Sequence, residues 1–377
     1  MADRVRVLIV LSRPAVAVLF ALYVALGLAQ AGHAEDRLLL AECLVPVMAF
    51  LLCSVCVNDL SDQAIDRVNL PGDRNRPLVT AAAGGRDLVV TAVVSAAVAL
   101  GSAFVLGLRP GLLMLAALAV SAGYSLRPVR LADRGAVAAL ALPACYVALP
   151  YLLALTAARS AVHPRDLLML LGLYTGFIGR ILLKDFRDVR GDALFGKRTF
   201  LVRHGRRATC LFSACCWTAG GCVILIATPR PTPALVCSYL LCLALALVIL
   251  RVLAGEVGHR REEGLITGAA ATGRGLLILQ LAHLATGQAG WGVLAQSAVE
   301  VALLVLTLGQ VVSVVRHGRM TGLTLASLQA ETNASPGEDS RSRDGSRAAR
   351  VCRHHVPRPP APTPAPVAAL GRFLRIG

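Results

Sequence analysis

The chain alternates long apolar runs with short polar connections. Most of the ten runs approach the roughly 20 residues that a helix needs to cross a bilayer. They lack the period of two that is typical of barrel strands, and backbone groups inside a bilayer must bond within their own segment, so helices are predicted. The predicted spans are residues 8–29, 38–57, 87–107, 111–125, 136–157, 167–183, 208–228, 234–250, 265–285 and 296–315. We therefore predict an all-α fold, a polytopic membrane helical bundle.

Two of the runs leave alternatives open. The first follows Arg4 and Arg6, as the apolar part of a signal peptide would, but its length and its Arg13-Pro14 pair favour a membrane helix. The ninth contains Thr267, Thr272, Arg274 and three glycines, which weaken it as a span. The sequence thus predicts nine or ten transmembrane helices.

Composition supports a membrane protein. Apolar residues make up 56% of the chain and charged residues 16%, against roughly 25% charged in an ordinary soluble domain. The net charge of +16 comes from short loops and the C-terminal segment rather than from one soluble face. We expect a lipid bilayer, and no nucleic acid, as the partner of these charges. The oligomeric state is left open.

The positive charges also predict an orientation. Alternate connections, starting with the N-terminus, carry twenty Lys and Arg residues, and the intervening connections carry five. Loops rich in Lys and Arg face the cytoplasm. We expect the basic loops there, in a multi-pass protein of the cell or plasma membrane.

Composition changes again near the C-terminus. Residues 1–328 are predicted to form the membrane domain, and residues 329–377, rich in Ser, Arg, Pro and Ala, a disordered basic tail. The tail is either a solvated segment without a role or a tether to anionic lipids.

Two acidic clusters follow the second and sixth runs. The first contains Asn58 with Asp59, Asp62 and Asp66, and the second contains Asp185, Asp188 and Asp192. Both triads have the spacing i, i+3 and i+7, which places three carboxylates on one helical face. The offset between the triads is 126 residues at each position and spans four runs. This repeat predicts two related halves of four helices.

Such a triad is either a solvated helix end or a cation site. Three carboxylates on one face repel each other unless a cation lies between them. Oxygen ligands without His or paired Cys suit Mg²⁺, whose coordination is often completed by phosphate oxygens. Basic residues near both clusters and the Tyr124-Ser125 pair are able to contact such an anion. The nearby basic residues are Arg67, Arg74, Arg76, Lys184, Arg187, Arg190, Lys197 and Arg198.

These motifs together resemble those of the UbiA superfamily of intramembrane prenyltransferases. The matching segments are Asn58-Asp59-x-x-Asp62-x-x-x-Asp66 with Asn75-Arg76-Pro77-Leu78, Asp185-x-x-Asp188-x-x-x-Asp192 with Gly196-Lys197-Arg198-Thr199, Tyr124-Ser125 with Arg130-Leu131 and Arg134-Gly135, and Arg13-Pro14. The resemblance covers roughly residues 8–315.

The resemblance implies a function and a set of site residues. It implies nine helices around a central cavity, and transfer of a prenyl group from a prenyl diphosphate to a lipophilic or aromatic acceptor, of quinone or meroterpenoid type. It implies Asn58 and the six aspartates as ligands of Mg²⁺, or of Mn²⁺, with Asp62, Asp66, Asp188 and Asp192 catalytic. The implied diphosphate-binding residues are Arg67, Arg76, Tyr124, Ser125, Arg130, Lys184 and Lys197, and Arg13 is expected on the acceptor side.

Two other functions remain at this point. A membrane terpene cyclase would use the same motifs without an acceptor. A transporter with an internal repeat would place ionisable residues at mid-membrane. The acids lie at the ends of the runs, and only Arg180 and Arg274 lie near apolar interiors, which favours the transferase.

Overall fold

The computed structural model describes residues 2–69, 77–159, 161–194 and 196–317. Regular structure in these ranges is helical throughout. The helices are α1 (Ala2–Leu11), α2 (Pro14–Ala31), α3 (Arg37–Asn69), α4 (Gly85–Leu106), α5 (Leu108–Ser125), α6 (Ala136–Pro143), α7 (Leu149–Ala158), α8 (Pro164–Ile181), α9 (Asp185–Leu194), α10 (Phe200–Ala227), α11 (Pro233–Leu253), α12 (His259–Gln288) and α13 (Val293–His317).

Within the described ranges, ten helical stretches are long and apolar enough to cross a membrane. Helices α6 and α7 form one of them, because a wider π turn at Ala144–Ala148 joins them without a break. Helix α12 is continuous through Thr267 and Thr272. The ninth span is therefore not broken, and the all-α multi-pass fold is confirmed with ten such helices in this part of the chain.

The first predicted span is wrong at its start. A helix over 8–29 was expected, but the chain breaks at Arg13, whose backbone has φ 44° and ψ 73°. Pro14 follows and opens α2, where its missing N–H costs no helical hydrogen bond. The spanning helix therefore begins at Pro14, and α1 is a separate short helix.

Two of the apolar cores of the bundle share two helices. One lies among α2, α3, α4, α5 and α7, with Phe20, Phe50 and Met114 fully buried. The other lies among α2, α7, α8 and α10–α13, with Leu26 and Tyr151 fully buried. Helices α2 and α7 contribute to both cores, so they join the half that carries the first acidic cluster to the half that carries the second.

Glycines allow α8 and α10 to pack closely. A Cβ atom at Gly172 would lie 2.9 Å from the backbone nitrogen of Ile224, and one at Gly220 would lie 2.6 Å from that of Gly176. Small residues at membrane helix interfaces permit this backbone approach. This contact fixes the position of α8, the helix that precedes the second acidic cluster in the chain.

The two acidic triads differ in their helical setting. The first lies within the uninterrupted 33-residue helix α3, as predicted. The second does not continue its spanning helix directly, since a 3₁₀ turn at Leu182–Lys184 separates α8 from α9. Helix α9 keeps Asp185, Asp188 and Asp192 in one helical register. The predicted tail, residues 329–377, lies outside the described residues.

Candidate active site

The first acidic triad is largely buried. Asp59 is 3% exposed and Asp66 is 8% exposed, and the side chain of Asp62 is 13% exposed. Ionised carboxylates at this depth require cations or hydrogen-bond donors nearby. Asn58, the residue before Asp59, is half-buried.

Three cations from separate parts of the chain meet this triad. Arg130 Nη2 donates to Asp62 Oδ1 at 2.6 Å, and Lys197 Nζ donates to Asp62 Oδ2 at 3.4 Å. Arg13 Nη2 donates to Asp59 Oδ1 at 2.6 Å. The negative charge on this face of α3 is thus neutralised by cationic residues that lie between 46 and 135 positions from their aspartate partners in the chain.

Two loops hold Arg130 and Lys197 in place. Arg130 Nε also pairs with Asp133 at 2.8 Å. Gly135 has φ +56°, and a Cβ atom there would lie 2.7 Å from the carbonyl oxygen of Arg198. A side chain at position 135 is therefore excluded by both conformation and space. This close approach joins the Arg130 loop to the segment that carries Lys197.

The second cluster reaches the same region, because α9 packs against α3. Asp185 is 9% exposed. Lys184 Nζ donates to the Tyr124 hydroxyl at 3.5 Å, and the charges of Lys184, Asp185 and Lys197 all act on that hydroxyl. Tyr124 therefore lies beside the second predicted motif, and its neighbour Ser125 is buried.

Some predicted site residues are not described at side-chain level. The side chains of Asp188 and Asp192 lie outside the described residues, although their backbone is helical in α9. Arg76 lies in the undescribed segment 70–76. Arg67 is exposed in the last turn of α3. Arg13, expected on the acceptor side, contacts Asp59 of the first motif.

The donor set suits a hard divalent cation. The groups around Asp62 are carboxylate oxygens and cationic nitrogens, and Mg²⁺ prefers carboxylate and phosphate oxygens. Among the described side chains, which exclude Asp188 and Asp192, no three acidic, His or Cys groups are close enough to hold a metal by themselves. Carboxylate oxygens of this kind fit the ligand preference of Mg²⁺.

Sequence reasoning missed several residues near the site. Asp133 supports Arg130, and Thr267 on α12 accepts a hydrogen bond from Arg187 Nη2 at 3.0 Å. A small internal pocket next to Tyr124 is lined by Ser54, Ser121, Ala141, Leu142, Cys145 and Tyr146. No motif marks these positions, because their proximity depends on how the helices pack.

The fold and site define an integral membrane protein with a carboxylate-rich, cation-compensated centre at one end of a helical bundle. The profile of the UbiA prenyltransferase family matches residues 18–263. The chain belongs to the UbiA prenyltransferase family, as its motifs predict.

Known proteins agree with this assignment. Bacteriochlorophyll synthase 34 kDa chain from Chloroflexus aurantiacus is 26% identical over 158 residues, which cover 41% of this chain and 50% of that protein. The chain thus matches about half the length of this curated relative.

Two solved structures share the fold. A digeranylgeranylglyceryl phosphate synthase matches with a TM-score of 0.55 and 15% identity, over 74% of this chain and 98% of its own. A UbiA homolog from Archaeoglobus fulgidus, bound to GPP and Mg²⁺, matches with a TM-score of 0.54 and 18% identity. The match covers 74% of this chain and 99% of the homolog's chain.

Proposed function

We propose that this protein transfers a prenyl group from a prenyl diphosphate to an acceptor, with Mg²⁺ bound by its two aspartate motifs. The observation that carries the proposal is Asp62, a carboxylate between Arg130 and Lys197 on the face of α3 against which α9 packs. A site that pairs carboxylates with cations is able to bind a metal and a diphosphate together.

The roles of the site residues follow from charge. Asn58, Asp59, Asp62 and Asp66 would hold one Mg²⁺, and Asp185, Asp188 and Asp192 another; Mn²⁺ has similar ligand preferences. The metal, when bound, neutralises charge on the departing diphosphate. Arg67, Arg76, Arg130, Lys184 and Lys197 supply further positive charge, and the Tyr124 and Ser125 hydroxyls supply hydrogen bonds to phosphate oxygens.

Arg130 and Lys197 serve two partners in this scheme. In the described structure they neutralise Asp62. A prenyl diphosphate would offer Arg130 and Lys197 phosphate oxygens, which accept several charge-assisted hydrogen bonds. Asp62 would then be able to bind the metal. The apolar surroundings of the site then limit attack of water on the developing carbocation.

Relatives support the nature of the substrate. The Archaeoglobus fulgidus homologs were solved with DMAPP or GPP, each with Mg²⁺.

We propose an aromatic acceptor of quinone or meroterpenoid type, held within the membrane domain of residues 1–328. The basic connections favour a cytoplasmic site in the plasma membrane.

The test is a reconstitution with defined substrates. Purified protein is incubated with Mg²⁺ and dimethylallyl, geranyl or geranylgeranyl diphosphate, with and without aromatic acceptors, and products are identified by mass spectrometry. A prenylated acceptor is expected. A cyclic hydrocarbon formed without any acceptor would identify a cyclase instead, and no release of diphosphate under any condition would contradict both activities.

A further inference from the structure

A cavity of about 400 Å³ lies at the end of the bundle opposite the aspartate motifs. Helix α2 runs from Arg13, which contacts Asp59, to this end, and α8 runs from this end toward the second acidic cluster. The 18 residues of α8 separate the cavity from that cluster by about 27 Å. The polar residues that line the cavity are Gln30, Arg159, His163, Arg165, Asp166 and Gln288.

A buried carboxylate holds one side of the cavity together. Asp166 is 1% exposed. Its carboxylate pairs with Arg159, and it accepts hydrogen bonds from Gln30 Nε2 at 3.2 Å and from the backbone N–H of His163 at 2.7 Å. The Tyr151 hydroxyl donates to the backbone carbonyl of Asp166 at 3.2 Å. These contacts fix the end of α2, the end of α7 and the start of α8 relative to each other, so the lining is formed before any ligand enters.

The lining keeps positive charge that Asp166 does not neutralise. Two arginines and one aspartate line the cavity, which leaves a net charge of +1 with His163 neutral. Arg165 is exposed, and it has no ion pair in the part of the chain that the structure describes. Arg159 Nε is buried without an acceptor among the same residues. A buried donor without an acceptor costs free energy, so the cavity favours an anion that carries acceptor oxygens.

Positive charge is scarce on this side of the protein. The connections on the less basic side carry five Lys and Arg residues, and two of them, Arg159 and Arg165, line this one cavity. A third, Arg230, directly follows Pro229, which also lines it. The general preference of membrane proteins is to keep such residues on the cytoplasmic side. Their concentration at one cavity therefore indicates a bound anion rather than simple solvation of the loops.

The surface next to the cavity is apolar. Leu167 and Leu171 lie in the two turns of α8 that follow Arg165, and each is 53% exposed. Exposed apolar side chains on a membrane-spanning helix face the lipid chains. The order along α8, with charge at the end and an apolar surface further in, is that of a phospholipid, whose headgroup is followed by acyl chains.

We propose that this cavity binds the phosphate group of an anionic phospholipid, with Arg159 and Arg165 as donors and with the acyl chains along Leu167 and Leu171. A guanidinium group offers several donors to phosphate oxygens. Gln30 Oε1 is buried without a donor among the described residues, and a hydroxyl of the headgroup is able to supply one. This site is separate from the aspartates, so its occupation does not depend on the proposed function.

Binding is measured by energy transfer from a single tryptophan. Trp217→Phe leaves Trp291, three positions after the lining residue Gln288. The probe is dansyl-phosphatidylethanolamine, whose phosphate is anionic and whose dansyl group accepts energy from tryptophan. Probe bound at the basic loops of the other end lies roughly 30 Å further away, across the membrane core. We expect phosphatidylglycerol to displace the probe at about tenfold lower concentration than phosphatidylcholine.

Two variants and a matched control, each made in the Trp217→Phe protein, locate the effect. Arg165→Gln is expected to reduce the preference for phosphatidylglycerol to about threefold or less. Arg159→Lys keeps the charge next to Asp166 but offers fewer donors, so an intermediate preference is expected. Arg109→Gln is the control, because Arg109 is exposed on the same predicted side but does not line the cavity. It is expected to leave the preference unchanged.

Each contrary result has a defined meaning. Equal displacement by phosphatidylglycerol and phosphatidylcholine in the Trp217→Phe protein would overturn the proposal, and this comparison needs no arginine variant to fold. Identical preferences of Arg165→Gln and Arg109→Gln would overturn the assignment to this cavity. Inorganic phosphate is the third competitor. Displacement by phosphate at the same concentration as phosphatidylglycerol would show a soluble anion, and not a lipid, to be the ligand.

Discussion

Arg130 donates to Asp62 at 2.6 Å, although 68 positions separate the two residues in the chain. The contact joins the loop after α5 to the acidic face of α3. Since Lys197 reaches the other oxygen of the same carboxylate, Asp62 is the point at which three parts of the chain meet. It is therefore the first residue to test.

We expect Asp62→Asn to lower the rate of prenyl transfer by roughly 100-fold or more. The amide lacks the negative charge with which Asp62 would bind the metal and pairs with Arg130 and Lys197. The measurement is the initial rate of prenyl transfer by protein that elutes as a folded species in detergent. Asp36→Asn is the control, because Asp36 lies before α3, at its other end, and its side chain is 41% exposed. Full activity of Asp62→Asn would contradict the assignment.

Removal of divalent cations is expected to stop turnover. The carboxylate faces repel a diphosphate unless cations lie between them. Activity measured in excess EDTA should fall to background, and addition of Mg²⁺ above the chelator concentration should restore it. Mn²⁺ should also restore activity. Undiminished turnover in EDTA would be incompatible with a site built on metal-bound aspartates.

The opposite end of the bundle contains a buried His–Glu pair. His283 Nε2 lies 3.2 Å from the carbonyl oxygen of Pro229. His283 Nδ1 lies 2.9 Å from Glu300 Oε1, and the Thr232 hydroxyl donates to Glu300 Oε2. These contacts join the loop before α11, α12 and α13 at one buried point.

This pair is expected to stabilise the packing of α12 against α13. Glu300→Ala should cost roughly 3–5 kcal/mol, because it leaves a buried imidazole without its partner. Glu300→Gln should cost much less, since its amide is able to donate to Nδ1 of a neutral imidazole. Thermal unfolding in detergent measures both changes. Equal effects of the two variants would show that the hydrogen bonds contribute little.

Orientation is open to a labelling test. Arg198→Cys lies in a predicted cytoplasmic loop and Arg165→Cys in a predicted external one, and both positions are exposed. An impermeant maleimide applied to intact cells should modify Arg165→Cys, and should modify Arg198→Cys only after permeabilisation, following the distribution of basic loops. The parent protein without either change measures labelling of the natural cysteines. The reverse pattern would invert the topology.

The C-terminal segment is expected to be dispensable. Truncation after Leu328 removes a stretch without apolar periodicity, so kcat and expression should not change. The comparison that matters is the KM for the prenyl diphosphate. A severalfold rise in this KM, with an unchanged amount of folded protein, would show that arginines such as Arg341 and Arg343 contact the substrate.

Much of this protein is determined by its sequence alone. The ten spans are visible because a bilayer demands about 20 apolar residues with internally bonded backbone, a local requirement. The aspartate triads are also visible from local sequence, since residues at i, i+3 and i+7 share one face of any helix. The break at Arg13, the π turn at Ala144–Ala148 and the 3₁₀ turn before Asp185 escaped this local reasoning.

Tertiary structure decided which charges meet. Arg130 and Lys197 were expected to bind a diphosphate, but nothing in their spacing shows that both contact Asp62. Arg180 is visible in the sequence as a charge in an apolar span. Its approach to Gly273, beside which Trp217 also lies, depends on the packing of α8, α10 and α12. Local sequence sets the face on which a side chain lies, but the rotation and crossing of whole helices set its partners.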